Sequence, residues 1–187
     1  MRLLVSGLAA LLLSLTLLPP ADAARPIEGY ASYDEPVTCH PKPFRGTAYL
    51  GRWVTHHYGG GYVGTARACG KHRRVTSEHQ TGRAFDWSAN VRKPADRRRV
   101  TRLLRSLFAA DAHGNLDARA RRMGIMYVIW NDRMYPAWNG FRPEPYLSSS
   151  CRTRKKCSKT LRHRDHVHVS LSKRGALGRT SFYATRL

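Results

Sequence analysis

Ile125-Met126-Tyr127-Val128-Ile129-Trp130 is a dense β-branched and aromatic run, and Asn131-Asp132 directly behind it is a turn signal. Together they predict a strand followed by a hairpin. Working upstream, Asn115 to Met123 predicts a short helix with Asn115 as cap and Gly124 as stop. A longer helix starts near Pro94, a favoured first helical position. There Val100, Leu103, Leu104, Leu107 and Phe108 recur at helical spacing and form a core face, while Arg97, Arg98, Arg99, Arg102 and Arg105 take the solvated faces. Thr47 to Thr55 predicts a strand, Tyr58-Gly59-Gly60-Gly61-Tyr62 a loop, and the alternating His166 to Leu171 a late strand. Strands on both sides of a helical middle, with no βαβ repetition, predict an α+β fold. The expected architecture is a single domain with a small, mainly antiparallel sheet flanked by helices.

The start of the chain bears on compartment. Met1-Arg2 is basic, Leu3 to Leu18 is almost wholly apolar, and Ala21-Asp22-Ala23 is an A-x-A site, which together predict a signal peptide over 1–23. The apolar run is short for a membrane span of about 20 residues, and none is expected after the leader is removed. Residues 24–46, with Pro26, Pro36, Pro41 and Pro43, read as an irregular arm, leaving 47–187 as the domain. The formal net charge is +21, most of it arginine. Such a field attracts polyanions but says little about fold. For an exported chain the expected partners are anionic cell-wall polymers rather than a specific nucleic acid, although a compositional bias of the source would leave the same excess. Four cysteines in an exported domain predict two disulfides. Cys151 and Cys157 flank one basic loop and are paired first, leaving Cys39 with Cys69.

Two segments carry chemistry. In Ser77-Glu78-His79-Gln80-Thr81-Gly82-Arg83-Ala84-Phe85-Asp86, the ligand types His79 and Asp86 are seven apart, which on a straight strand would point them to opposite sides. Gly82 permits a bend that turns both inward. In His163-Arg164-Asp165-His166-Val167-His168, the last two histidines are two apart and project from one strand face. A catalytic zinc takes three such ligands and keeps a fourth position open. A surface histidine cluster is the plainer account of the second segment.

Ser77-x-His79-x-x-Gly82-x-Ala84-x-Asp86 resembles the S-x-H-x-x-G-x-A-x-D signature of zinc D-alanyl-D-alanine carboxypeptidases and dipeptidases, a group that extends to lysostaphin-type endopeptidases and the hedgehog amino-terminal domain. The carboxypeptidases complete the site with E-x-x-H. Here His163, His166 and His168 instead give H-x-x-H-x-H, similar to the lysostaphin and penicillin-insensitive murein endopeptidase branch. The resemblance implies one Zn2+ per chain, on the sheet, held by His79, Asp86 and His168, with His166 and His163 assisting catalysis. It implies a secreted or wall-associated metallopeptidase, a hydrolase cutting stem peptides or cross-links of peptidoglycan, and a monomer is expected. Glu78 and Asp165 are expected to point away by alternation, and Glu144 is the reserve carboxylate. Arg73, Arg74 and Arg83 are candidates to grip a terminal carboxylate. Trp130, with Trp87 and Trp138, is a candidate groove residue, although aromatics of this kind more often fill cores. Ser77 is expected to bond backbone in the turn. The alternative function is a non-catalytic, zinc-containing module binding cell wall or polyanion.

Overall fold

The computed structural model describes residues 27–65, 67–70 and 75–187. The expected leader lies outside these residues, as do Arg73 and Arg74. Residues 27–44 form neither helix nor strand, in keeping with the expected arm. The chain then builds one α+β domain. Its elements are α1 (Arg45–Tyr58), β1 (Tyr62–Gly64), β2 (Ala84–Ser88), α2 (Pro94–Leu107), α3 (Ala118–Met123), β3 (Ile125–Trp130), β4 (Arg133–Pro136), β5 (Glu144–Pro145), β6 (His166–Leu171) and α4 (Lys173–Ala176). The sheet has the order β1-β2-β6-β3-β4-β5, and every pairing in it is antiparallel.

One prediction is corrected: the segment from Thr47 to Thr55 is helix, not strand. Thr47, Leu50, Gly51 and Val54 are its buried residues, spaced three and four apart, and they fix a helical face against β2. That tertiary packing overrides the β preference of its threonines, valine and aromatics. The short helix also begins later than expected, at Ala118 with Asp117 as cap, while Gly124 stops it in a left-handed conformation as predicted. Asn115 is engaged elsewhere, its side-chain amide donating to Asp111. The Pro94 helix and the Asn131-Asp132 hairpin form as read, both turn residues taking positive φ.

The two sheet faces differ in what covers them. Phe85, Trp87, Val128, Trp130, Val167, Val169 and Leu171 point into the main core, where α1, α2 and α3 contribute Leu50, Val54, Val100, Leu103, Leu107 and Met123. The opposite face carries a small cluster of Met126, Tyr127 and Ile129. Alternation along β2 and β6 therefore leaves Asp86, His166, His168 and Ser170 on this second face.

The arm is fastened over that face. Arg83, buried, bonds Asp34 Oδ2 at 2.7 Å and the Asp34 carbonyl at 2.8 Å. The backbone N–H of His40 donates to the Gln80 carbonyl at 2.7 Å, and that of Phe44 to Gly82 at 3.1 Å. Both disulfides form as paired from the sequence, Cys39–Cys69 and Cys151–Cys157. Two such bonds mark an oxidising, extracytoplasmic environment. Among the described residues no helix is long and apolar enough to cross a membrane.

Candidate metal centre

Antiparallel pairing sets Asp86 of β2 directly opposite His168 of β6. Residues so paired project from the same side of the sheet at close range. His79 arrives from outside the sheet, on the turn at residues 77–82. Ser77 Oγ accepts the His79 backbone N–H at 3.3 Å, and Gly82, with φ +69°, closes the turn back towards β2. A Cβ at Gly82 would collide with the Lys42 carbonyl, so the bend needs glycine for space as well as for φ.

The three side chains converge. His79 Nε2 lies 3.2 Å from Asp86 Oδ1 and 3.0 Å from His168 Nδ1, and His168 Nδ1 lies 3.1 Å from Asp86 Oδ1. A tetrahedral site with ligand bonds of about 2.0–2.1 Å has edges of roughly 3.3 Å, so the triangle is the right size for such an ion. One or two protons bridge at most two edges of it, whereas a cation at its centre engages all three lone pairs. The group can therefore hold a metal ion. On the far side of the His168 ring, Nε2 meets Ser170 Oγ at 2.8 Å. With the ring proton donated there, Nδ1 presents its lone pair to the triangle. Tyr127 stacks on the same ring, 5.6 Å between centroids.

The electrostatics favour the ligand forms. Burial would raise the Asp86 carboxyl, but hydrogen bonding to His168 and His79 outweighs it and holds the group far below the usual carboxylate range. Burial lowers His168, against the pull of Asp86, which favours the neutral imidazole. Burial, reinforced by His168 and His166, pushes His163 down to about 3.

His166 stands beside the triangle, its Nε2 3.6 Å from Asp86 Oδ1. Its Nδ1–H donates to Asp165 Oδ1 at 2.8 Å, while Asp165 Oδ2 accepts from Thr160 at 2.8 Å. The expectation that Asp165 points away is thus corrected. Asp165 sits in the turn before β6, where strand alternation does not operate. Burial raises its carboxyl, but the bonds from His166 and Thr160 outweigh this and lower it. Glu78 is corrected on the same ground. It lies in the turn with His79, is buried, and its carboxylate is close enough to Tyr127 to help burial raise the phenol well above its ordinary value. His163 is buried 4.7 Å from His166 and 5.5 Å from His168 between ring centroids, with positive φ and an Nδ1 that finds no partner among the described residues.

Other candidates lie elsewhere. The Arg83 guanidinium is taken up by Asp34 and Thr81 and holds the arm. Trp130 and Trp87 are core residues; Trp138 is exposed, edge-on to Tyr127 at 6.2 Å. Glu144 is in the far edge strand, accepting from Asn139. The histidine loop is held in place by the hairpin. Asn131 and Asp132 donate backbone N–H groups to the His163 and Arg162 carbonyls, and Arg162 grips Asp132 with two bonds of 2.8 Å.

Residues 45–153 match the family model described as VldE, C-terminal domain. The match contains His79 and Asp86 and stops before His163, His166 and His168. No curated protein and no solved structure matches the chain.

Proposed function

The chain belongs to the VldE C-terminal domain family, and we propose that it is an exported zinc peptidase hydrolysing peptide bonds in peptidoglycan stem peptides or cross-links. The observation that carries this reading is the closed triangle of His79, Asp86 and His168 with the His166–Asp165 pair at its edge. Two imidazoles and a carboxylate are a donor set suited to zinc with one position left open. Zinc bound there would lower the pKa of its water towards about 7 and polarise the scissile carbonyl. His166 is the proton acceptor. Asp165 holds the proton on Nδ1, so Nε2 keeps a free lone pair on the site side. The same nitrogen can return the proton to the leaving amine. His163, buried and neutral, flanks His166 and limits how far its ring can turn.

Peptidoglycan as substrate is supported by the signature resemblance and by the oxidising compartment that the disulfides imply. The +21 charge suits an anionic wall.

Zinc stoichiometry of the purified protein tests the reading, beside His168→Ala and His166→Ala. One zinc per chain is expected in the wild type and in His166→Ala, and its loss in His168→Ala. His166→Ala should cost about 10²–10⁴ in turnover of cross-linked muropeptides. Absence of zinc from the wild type sinks the proposal. Zinc retained with no hydrolysis in any variant would leave a non-catalytic wall-binding module.

A further inference from the structure

A cavity of about 590 Å³ opens on the helical side of the molecule, built from α1, the end of α2 with residues 109–111, α3 and the C-terminal residues 181–186 rather than from the strands that carry the triad. Arg119, Arg122 and Arg186 line it, with one carboxylate, Asp111, among them. Asp111 is already taken: Arg122 donates to its Oδ2 at 2.9 Å. Arg186 lies over the Phe182 ring, 4.5 Å from its centroid, and donates to the Phe182 carbonyl at 2.6 Å. Arg119 lies over Trp53 at 5.8 Å, and among the described residues no acceptor engages it. Trp53 and Phe182 meet edge to face at 5.6 Å, which gives the cavity an aromatic wall below its cations.

We propose that this cavity is a second binding site, for the phosphate ester of a polyol or sugar. Three guanidiniums against one paired carboxylate leave an excess of two positive charges, matching a phosphate monoester. Guanidinium forks fit phosphate oxygens in bidentate fashion. The aromatic wall gives the carbon skeleton an apolar surface, and the volume lies within the usual range for small ligands, roughly 300–1,000 Å³. A bare surface charge would attract any anion equally; this site should favour an anion that also carries carbon.

Titration calorimetry with glycerol 3-phosphate, inorganic phosphate and glycerol tests this on the full protein. Saturable binding of glycerol 3-phosphate is expected, tighter than inorganic phosphate, with none for glycerol. The double variant Arg119→Gln/Arg186→Gln should weaken it by about 10- to 100-fold. Arg98→Gln/Arg102→Gln, which removes two exposed cations of α2 and the same net charge, should leave it unchanged. Both arginine pairs are at the surface, and matched zinc content and circular dichroism verify folding. Equal weakening in the two double variants overturns the proposal in favour of the general field. So does equal affinity for inorganic phosphate, and so does an absence of binding. None of these outcomes bears on zinc or hydrolysis.

Discussion

His166 differs from the three candidate ligands in having a carboxylate of its own. Asp165→Asn keeps the shape but replaces the charge, so the ring loses the partner that fixes its proton on Nδ1. We expect zinc content to stay at the wild-type level while turnover falls about 10- to 100-fold, the usual loss for an orienting partner, read as kcat on a cross-linked muropeptide. His163 carries a pH signature. Its pKa in the fold is about 3, whereas the unfolded chain titrates near 6.5. Between those values the unfolded state binds a proton that the folded state does not. Stability conferred by the neutral ring is therefore full above about pH 6.5 and falls as pH drops towards 3. His163→Asn, which tolerates positive φ, should flatten that part of the stability curve when urea midpoints are measured from pH 7 to 4. The candidate ligands were legible through the resemblance of the segments around 79, 86 and 168 to zinc-site signatures; spacing alone permitted them without selecting them. Asp165 and Glu78 were not: alternation is a rule for strands, and both residues are in turns.

At the scale of elements, the turn at 77–82 carries one candidate ligand, His79, and sets its aim. Gly82→Ala meets both a left-handed φ and the Lys42 carbonyl. Gly114→Ala has a similar φ of +77° with nothing near the added carbon. We expect Gly114→Ala to cost about 1 kcal/mol from backbone strain alone. Gly82→Ala should cost about 2–4 kcal/mol and also weaken metal binding; denaturant midpoints and competition with a chelator measure the two effects. The hairpin anchor should behave similarly. Asp132→Asn removes the charge from a bidentate pair with Arg162, and a loss of about 1–2 kcal/mol is expected. The bond from Arg162 lowers the Asp132 carboxyl, so this contribution is present above the ordinary carboxylate range and lost as pH falls below it. The helices α2 and α3, the β3–β4 hairpin and β6 could be read from periodicity and punctuation, whereas the short β1, β2, β5 and α4 were not picked out. Residues 45–58 could not be read as helix, because threonines, tyrosines, a tryptophan and a valine give this helix a strand's composition, and only its three- and four-residue burial spacing betrays it.

The whole molecule is closed by two disulfides of unequal reach. Cys39–Cys69 spans 30 residues and Cys151–Cys157 spans 6. Loop-closure entropy alone gives roughly 3–4 kcal/mol for the first and about 2 for the second. Replacing Cys39 and Cys69 by serine should therefore lower the melting temperature more than replacing the other pair. It should also loosen the turn that carries His79, since the arm between Cys39 and Phe44 is hydrogen-bonded to Gln80 and Gly82. Metal binding should add about 2.7 kcal/mol at a free concentration of one hundred times Kd, visible as a melting temperature that climbs with added zinc.

The triangle joins parts of the chain that are remote in sequence. Asp86 and His168 are 82 residues apart, and His79 and His168 are 89 apart. Such contacts close late, after β2 and β6 have found each other, because long loops delay them. An ion seated there works as a clasp fastened after assembly: it should slow unfolding far more than it speeds folding. Until those two strands have paired there is no finished site, so any ion that the triangle holds can be collected only where the chain folds, from whatever the surroundings there supply.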